Sequence, residues 1–402
     1  MVRTVFRNGS VFDGTGSPPG GGEVAVEGDR ILDIGSDLDG DVEVDLGGAT
    51  LLPGFFDCHV HVMFSDIDVW GLMHKPFSQF FFEAMHNLRA TLATGITSVR
   101  DAGGADLGVK ESLEAGLIEG PHMQISLTML SQTGGHGDGW LPSGQDADLL
   151  TTYPGMPSSI VDGPDAMRVK VREVIRNGAD VIKVATSGGV LSPRDDPRHA
   201  HFTPEELDVL VAEATAAGRF VMAHAQAAEG IKNAVRAGIR SIEHGIYLDD
   251  EAIGIMLEHG TYLVPTLMAP SGVSKAAAAG LPVPEVSVRK AEEVIEVHRE
   301  SFRRAVDAGV KVAMGTDSGV TAHGDNLEEL ELMHQGGMEG IDVLVSTTRT
   351  AAELLGVLHD RGTIEPGKRA DLVIVEGDPL DVTGLRDRIS AVYKDGVEVT
   401  DR

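Results

Sequence analysis

The stretch LLPGFFDCHVH, residues 51–61, decides the fold of this 402-residue chain. An apolar run leads directly into a His-x-His pair, which indicates a buried strand that ends in two imidazoles. Because side chains alternate along a strand, His59 and His61 point to the same face and can bind one metal ion together. A single His-x-His pair is weak evidence, since each histidine is as readily a structural residue, so its meaning depends on the rest of the chain.

Downstream of this stretch, short apolar runs alternate with longer amphipathic segments, the pattern typical of parallel β/α units. We count eight strand candidates: LLPGFFDCHVH, GITSVRDAG from Gly95, MQISLTMLS from Met123, ADVIKVATS from Ala179, FVMAHA from Phe220, SIEHG from Ser241, YLVPTL from Tyr262 and KVAMGTDSG from Lys311. Thr203 as N-cap, Pro204 and Glu206 form a capping-box pattern and predict a helix directly after the fourth strand. Eight repeats favour an α/β fold of the (β/α)8 TIM-barrel type, although a doubly wound open sheet would give the same alternation.

Both ends of the chain carry short β-like runs. TVFRNGSVF, GEVAVEG and DRILDIG precede Pro53, and ADLVIVEGD and ISAVYKDGVEV follow residue 360. Tight turns rich in glycine and proline separate these runs. The sequence therefore predicts one small composite β-domain from residues 1–53 and 360–402, with the barrel over residues 54–359.

Composition and charge exclude several function classes. The formal net charge of −29 and the pI near 4.8 disfavour nucleic acid or an anionic membrane as partner, because both would repel such a surface. No apolar run approaches the roughly 18 to 20 residues of a membrane-spanning helix, and the N-terminus lacks the apolar core of a signal peptide. The single cysteine, Cys58, cannot form an intrachain disulfide, which fits a reducing compartment, so we expect a soluble cytoplasmic protein.

Ionisable residues recur at the carboxyl ends of the predicted strands, where a parallel barrel places its catalytic groups. The set consists of His59, His61, Lys183, His224, His244 and Asp317. Such residues at five separate strand ends are hard to explain as core packing. The sequence therefore predicts a metal site.

Lys183 needs a separate explanation, because a protonated ammonium has no lone pair and would repel nearby cations. A buried lysine shifts its pKa readily and, once neutral, can add carbon dioxide to become a carbamate whose two oxygens can bridge two metals. The alternative is an ion pair of Lys183 with an acid such as Asp101 or Asp180.

The blocks FFDCHVH, DVIKVATSGG, VMAHA, SIEHG and GTDSG resemble the five sequence blocks of the amidohydrolase superfamily. The likeness extends to the termini, where the β-rich lead into LLPGFFDCHVH and the segment GTIEPGKRADLVIVEGDP are similar to that superfamily's flanking β-sandwich. The resemblance thus implies a TIM barrel with a small β-sandwich formed by both termini.

Carried over residue by residue, the resemblance implies a two-metal site. One ion is held by His59, His61, the Lys183 carbamate and Asp317, and the other by the same carbamate with His224 and His244. A hydroxide would bridge the ions, with Asp317 and the Lys183 carbamate as catalytic groups and Asp317 passing the proton to the leaving nitrogen. Zinc is the expected metal, with manganese, cobalt or iron as alternatives.

Within the superfamily, SQTGGHGDGW, ATSGGVLSP and IEHGIYLDD resemble the imidazolonepropionase-like group, which includes Xaa-Pro dipeptidases and lysine or arginine carboxypeptidases. This resemblance implies release of the C-terminal residue from a dipeptide or N-acyl amino acid, and homo-oligomers. Three alternatives stay open: hydrolysis of a carbamate, phenylurea or cyclic amide at the same site, a non-catalytic barrel module, and a single-metal deaminase, which the strand-four lysine disfavours.

Glycine-rich loops after strands three and four offer candidate substrate contacts. His136 can donate a hydrogen bond to a substrate carbonyl or carboxylate, or be a loop histidine on the surface. Ser187, Gly188 and Gly189 can present backbone N–H groups to a carboxylate, or form a plain tight turn.

Four further residues are candidates from later loops. Arg194 or Arg198 can clamp a carboxylate or be solvated loop arginines. Some proline-specific relatives carry tyrosine where this chain has Gln226, which weakens a strict Xaa-Pro assignment. Tyr247 can supply a phenol to the site or pack within its loop.

The tract from His74 through Phe82 concentrates aromatic residues in a chain with only 4% of them. It is expected to line a hydrophobic pocket or a subunit contact, or to be a helix packed on the barrel.

Overall fold

The computed structural model describes residues 2–147 and 152–400 as a mixed α/β fold. The strands up to the His-x-His pair are β1 (Arg3–Arg7), β2 (Ser10–Val11), β3 (Gly20–Gly21), β4 (Glu23–Glu27), β5 (Arg30–Gly35), β6 (Val42–Asp45), β7 (Thr50–Pro53) and β8 (Phe55–Val60). The later strands are β9 (Ile96–Asp101), β10 (His122–Ile125), β11 (Met129–Leu130), β12 (Val181–Ala185), β13 (Phe220–Ala225), β14 (Ser241–His244), β15 (Tyr262–Val264), β16 (Leu372–Val375), β17 (Ile389–Lys394) and β18 (Val397–Glu398).

The helices alternate with the strands of the middle of the chain. They are α1 (Val69–His74), α2 (Gln79–Ala93), α3 (Leu107–Glu114), α4 (Pro164–Arg176), α5 (Pro204–Ala216), α6 (Ala228–Ala237), α7 (Asp250–His259), α8 (Met268–Ala278), α9 (Glu285–Ala308), α10 (Glu328–Gln335), α11 (Gly340–Ser346) and α12 (Arg349–Leu354). The predicted start of α5 is confirmed, because Thr203 caps it and exchanges hydrogen bonds with Glu206 in a capping box. Over the described ranges, none of these helices has the length and apolar character needed to cross a bilayer.

Strands from both ends of the chain pair with one another. One sheet has the order β5-β4-β1-β6, and the other has the order β18-β17-β16-β7-β2-β3, in which β16 runs antiparallel to β7. A shared apolar core includes Phe6, Leu51, Leu372 and Tyr393. This pairing is what a composite terminal domain requires. Residues 1, 401 and 402 of the predicted ranges lie outside the described residues.

The middle of the chain supplies two parallel sheets, β10-β9-β8 and β11-β12-β13-β14-β15. Every residue of β8 and β12 is buried, as expected for parallel strands covered on both faces. Backbone bonds also join β15 to residues 311–313 and β8 to residues 314–318. The bonds are Leu263 N to Lys311 O at 2.8 Å, Ala313 N to Leu263 O at 2.9 Å, Cys58 N to Met314 O at 2.9 Å and His61 N to Ser318 O at 2.7 Å.

Two predicted strands differ from the structure. The third, residues 123–131, is interrupted at Leu127, whose φ of 66° breaks the extended conformation and separates β10 from β11. The eighth, residues 311–319, is not a continuous strand and forms only isolated bridges, at Val312 and Ser318. Its carboxyl end turns sharply because Asp317 has a φ of 63°.

Candidate metal centre and its cavity

Side chains from several strand ends converge on one point. Donor atoms of His59, His244 and Asp317 lie within 4.8 Å of one another, and all three residues are buried. The Nε2 atom of His61 lies 3.3 Å from Asp317 Oδ1, and Lys183 Nζ lies 3.3 Å from His59 Nε2. The structure thus brings five of the six predicted ligands together.

The sixth predicted ligand, His224, lies beside this cluster. Its ring centroid is 4.6 Å from that of His244, and it stacks on His136 at 4.2 Å. Its Nε2 atom lies 3.2 Å from the carbonyl oxygen of Gly188. His224 is therefore adjacent to the cluster but directs this nitrogen to a backbone acceptor.

Three of the histidines are held from behind through Nδ1. The contacts are His59 Nδ1 to Glu243 Oε2 at 2.8 Å, His61 Nδ1 to Gly103 O at 2.7 Å and His244 Nδ1 to Thr266 Oγ1 at 2.7 Å. An imidazole that donates Nδ1–H to an outer acceptor leaves the lone pair of Nε2 for a metal. This arrangement is the one that metal-binding histidines adopt.

Glu243 is the most strongly held of these outer partners. Its carboxylate is fully buried and receives Arg100 Nη2 at 2.9 and 3.1 Å, as well as Ser241 Oγ at 2.5 Å. Arg100 is itself buried and also donates to Cys58 O at 2.7 Å. A buried carboxylate paired in this way fixes the orientation of the His59 ring.

A second buried carboxylate, Asp57, ties the His-x-His strand to the segment that carries Asp317. It accepts hydrogen bonds from His59 N and Thr316 N, both at 3.1 Å, and from Thr316 Oγ1 at 2.7 Å and Asn326 Nδ2 at 2.9 Å. Burial raises the pKa of Asp57 to about 6, against the effect of these donors. Asp57 therefore fixes the relative position of two of the predicted ligands.

Three of the eight non-glycine residues with positive φ in the described part of the chain lie at this site. His244, Thr266 and Asp317 have φ values of 72°, 51° and 63°, a region that side chains other than glycine's rarely enter. Such conformations cost roughly 1 to 3 kcal/mol each and persist where the surroundings enforce them. The strain turns His244 and Asp317 toward the cluster, which is the pattern expected of a functional site.

Electrostatics at the cluster suit ligands that must be unprotonated. Burial lowers the pKa of Lys183 to about 8 and holds the pKa of His224 and His244 well below their usual range. Burial acts to raise the pKa of Asp317, but the neighbouring His59, His61 and Lys183 side chains outweigh it and lower that pKa. His61 is the exception, because its contact with Asp317 outweighs the effect of burial and raises its pKa. These directions favour neutral imidazoles at His224 and His244, a reactive amine at Lys183 and an ionised carboxylate at Asp317.

The cluster forms the floor of a cavity of about 420 Å³. His136, Arg194 and Gln226 line this cavity as predicted, whereas Ser187, Gly188, Gly189, Arg198 and Tyr247 are not among its described lining residues. Most of the remaining wall is apolar. A small-molecule ligand of ordinary size fits such a cavity.

His136 is positioned by partners that the sequence did not indicate. Its Nδ1 atom lies 2.9 Å from Asp195 Oδ2, whose side chain is only 2% exposed, and Lys290 Nζ lies 3.3 Å from Asp195 Oδ1. Lys290 belongs to α9 and also donates to Ser192 O at 2.8 Å. The ring of His136 is thus fixed over His224, with Nε2 free of this contact.

The backbone N–H groups of Gly188 and Gly189, predicted as substrate contacts, have partners within the protein in this structure. Gly188 N donates to His199 O at 3.1 Å, and Gly189 N donates to Asp195 Oδ2 at 3.0 Å. The Ser187 hydroxyl accepts Gln226 N at 2.7 Å. These residues shape the loop behind the site, because added Cβ atoms at Gly188 and Gly189 would lie 2.2 Å from Asp196 O and from the His136 ring respectively.

The remaining candidates divide between cavity and surroundings. Gln226 is buried, and its Oε1 atom has no hydrogen-bond partner among the described residues. Arg194 lies over the Trp140 ring at 5.3 Å. Arg198 instead pairs with Asp196 at 2.9 Å, and Tyr247 packs in an apolar group with Val190 and Leu191.

Comparison with known proteins places this site in a family. A model of the amidohydrolase family matches residues 50–399. The ochratoxinase of Aspergillus niger is 33% identical over 399 residues, which cover 94% of this chain and 82% of the relative. A solved Xaa-Pro dipeptidase with methionine bound in its active site is 33% identical, with a TM-score of 0.89 and 99% coverage of both chains.

A second solved structure, a prolidase complexed with N-methylphosphonate-L-proline, is 35% identical with a TM-score of 0.90 and covers both chains fully. The family match spans most of the chain, and these relatives agree with it over nearly the whole length. The protein is therefore a member of the amidohydrolase family, hydrolases that act on amide bonds.

Proposed function

We propose that this protein is a binuclear metal-dependent hydrolase that cleaves the amide bond of dipeptides or N-acyl amino acids and releases the C-terminal residue. The convergence of His59, His244 and Asp317 donor atoms within 4.8 Å, beside buried Lys183, carries the proposal. The names of the relatives point to the same bond class, since one is a Xaa-Pro dipeptidase and another a prolidase. The proposed substrate is therefore a small amide. The resemblance to the family also leads us to propose that the chain forms homo-oligomers.

The scaffold proposed for this site is a closed (β/α)8 barrel over residues 54–359, with a β-sandwich from residues 1–53 and 360–402. Two observations support this scaffold. Residues 311–318 form backbone hydrogen bonds with both β15 and the strand of the His-x-His pair. The chain also resembles amidohydrolase structures, which are of the TIM-barrel type. In such a barrel, the carboxyl ends of the strands form the active-site face.

The residues present fit a pair of divalent ions. His59, His61 and Asp317 would hold one ion, His224 and His244 the other, and a carbamate on Lys183 would bind both. The fit rests on the donor chemistry, since imidazoles with Nδ1 engaged elsewhere, at His59, His61 and His244, and an ionised carboxylate are what zinc prefers. His224, whose Nε2 atom faces Gly188 O, would have Nδ1 left for an ion. Manganese, cobalt and iron are alternatives with the same ligand types.

The bound ions would supply a water molecule of lowered pKa and polarise the scissile carbonyl. Asp317 accepts the proton of the attacking water and passes it to the leaving nitrogen, which departs as an amine. His136, fixed by Asp195, donates a hydrogen bond from Nε2 to the substrate carbonyl or carboxylate. The wall of the cavity excludes bulk water from the reacting groups.

A substrate panel tests the proposal. Zinc-loaded enzyme is incubated with L-dipeptides, N-acyl amino acids, an ochratoxin, carbamates, phenylureas and cyclic amides, and the products are identified by mass spectrometry. We expect release of a defined C-terminal amino acid, and loss of that release after removal of the metals by a chelator. Products only from carbamates, phenylureas or cyclic amides would contradict the proposed substrate class, and no product from any compound would favour a non-catalytic role.

Glu243→Gln is expected to weaken metal binding, because the neutral amide removes a charge from the Arg100 pair and a strong acceptor from His59. Outer-shell partners of metal ligands typically contribute about 10- to 100-fold in metal affinity or activity. We expect a loss of that size in zinc affinity, measured by competition with a chromophoric chelator.

The matched control is Glu328→Gln, which breaks an exposed ion pair with Lys275. It should leave zinc affinity within about twofold, since exposed pairs contribute little. Equal affinities for Glu243→Gln and the unaltered protein would show that Glu243 serves stability alone.

A further inference from the structure

The two tryptophans of the chain, Trp70 and Trp140, line the same cavity above the metal centre. They come from separate segments, since Trp70 is in α1 and Trp140 follows the glycine-rich loop of His136. Both are largely exposed, at 65% and 50%. An exposed indole leaves a large apolar surface in water, which is unfavourable unless a ligand or partner covers it.

The surrounding wall is apolar and suits an uncharged group. Its side chains include Ile67, Val190, Leu191, Ile246, Val273 and Val320. Asp138, a carboxylate in the wall outside the metal cluster, already receives Gly134 N and Trp140 N, at 2.7 and 3.0 Å. Asp66, the other carboxylate of the described wall, likewise receives Asp68 N, at 2.9 Å. A free α-ammonium group would have to compete with these backbone donors, whereas an acylated nitrogen carries no charge that needs a partner.

The orientation of Trp140 is supported from one side. Arg194, which also lines the cavity, places its guanidinium carbon 5.3 Å from the centre of the indole ring. A cation over one face of an indole favours a fixed ring position. The other aromatic tract, with Phe77 and Phe82 exposed in or before α2, does not contribute to the described cavity wall.

We propose that Trp70 and Trp140 form an aromatic clamp that binds a flat aromatic acyl group of the substrate, so that the preferred substrates are N-aroyl amino acids. The proposal rests on the proposed amide hydrolysis for the identity of the bond that is cleaved. Aromatic rings gain free energy from stacked or edge contacts beyond the burial of their area. Free dipeptides and N-acetyl amino acids lack this contact and are poorer substrates.

Binding can be tested without hydrolysis, using 2-naphthoic acid, the acid product of an N-naphthoyl substrate. Isothermal titration calorimetry is carried out on the zinc-loaded protein and on the Trp70→Leu and Trp140→Leu variants. We expect the dissociation constant to rise about tenfold in each variant, the effect of losing one aromatic contact together with its buried area. The matched control is Phe82→Leu, an exposed aromatic residue outside the cavity, which should bind as the unaltered protein does.

Hydrolysis gives the second measurement. We compare kcat/KM for an N-2-naphthoyl amino acid with kcat/KM for the N-acetyl derivative of the same amino acid. The ratio of the two should be above about 10 in the unaltered protein and close to 1 in the variant that carries both Trp70→Leu and Trp140→Leu. The clamp would be overturned if the kcat/KM ratio were the same in all proteins. It would also be overturned if the tryptophan variants changed the molecular mass in light scattering but left naphthoate binding unchanged. Tryptophan-dependent naphthoate binding without amide cleavage would support the clamp and refute the proposed hydrolysis.

Discussion

Replacement of Lys183 by alanine is expected to lower kcat/KM for amide hydrolysis by at least about 10²- to 10³-fold, since even partners behind metal ligands contribute up to about 100-fold. Lys183 is buried, with Nζ 3.3 Å from His59 Nε2, so its carbamate would lie among the predicted ligands. Without it, the two proposed ions would lose the ligand that would hold both. The measurement is steady-state kinetics together with metal content by mass spectrometry, which should fall below two ions per chain.

Lys275→Ala is the matched control, because this lysine is 69% exposed and pairs only at the surface. It should retain full activity and metal content. Thermal melting of the metal-free Lys183→Ala protein checks that the fold is intact. Full activity of a folded Lys183→Ala protein would exclude Lys183 as a metal ligand.

The carbamate itself is tested on the unaltered chain. Metal-free protein should regain activity with zinc only when bicarbonate is present, because the amine must first add carbon dioxide. With a pKa of about 8 set by burial, the neutral fraction of Lys183 falls about tenfold for each pH unit below that value. At a fixed concentration of dissolved carbon dioxide, reactivation should therefore slow as the pH is lowered from 8 to 6. Reactivation independent of bicarbonate would show that an unmodified lysine suffices.

The sequence was most informative where chemistry and strand position coincide. The strand ends of His59, His61, Lys183, His244 and Asp317 were predicted from short apolar runs followed by a polar residue, and the structure brings these side chains together. The capping box at Thr203 was also predicted and is confirmed. Short apolar runs and capping boxes can be predicted because each is encoded by a few neighbouring residues whose local preference agrees with the fold.

The supporting residues could not be found in this way. Simple alternation along β14 places Glu243 and His244 on opposite faces, yet both reach the site, because the positive φ of His244 redirects its side chain. Asp195 and Lys290 meet across 95 residues of sequence. Contacts of this kind depend on tertiary structure, and no periodic pattern in the sequence predicts them.

The limits of the third and eighth predicted strands were wrong for the same reason, because they too depend on tertiary structure. Leu127 and Asp317 adopt positive φ values, a region that leucine rarely enters and that aspartate enters more often. At residue 315, a glycine is required because an added Cβ would lie 2.4 Å from Val264 Cγ1 and 3.0 Å from His59 Cβ. Residues 311–319 thus pack closely against β15 and the strand that carries His59, which an apolar run in the sequence cannot reveal.

Asp317→Asn is expected to lower kcat by about 10²- to 10⁴-fold, the range of a positioned acid or base, with a smaller effect on KM. The side chains are nearly the same size, so the substitution removes charge and basicity and leaves the packing intact. His59 and His61 hold the pKa of this carboxyl below its usual range, which keeps it ionised at neutral pH. Full kinetics on the best substrate of the panel measures the division between kcat and KM.

The control for this substitution is Asp307→Asn, a change of the same chemistry at a side chain that is 63% exposed and pairs with Arg303. It should leave kcat unchanged. Metal content separates the two roles of Asp317, because a loss of one ion would indicate a ligand, whereas two retained ions with low kcat would indicate the proton carrier. A folded Asp317→Asn enzyme that keeps more than about a tenth of its kcat would contradict both roles, since either contributes at least about 10²-fold.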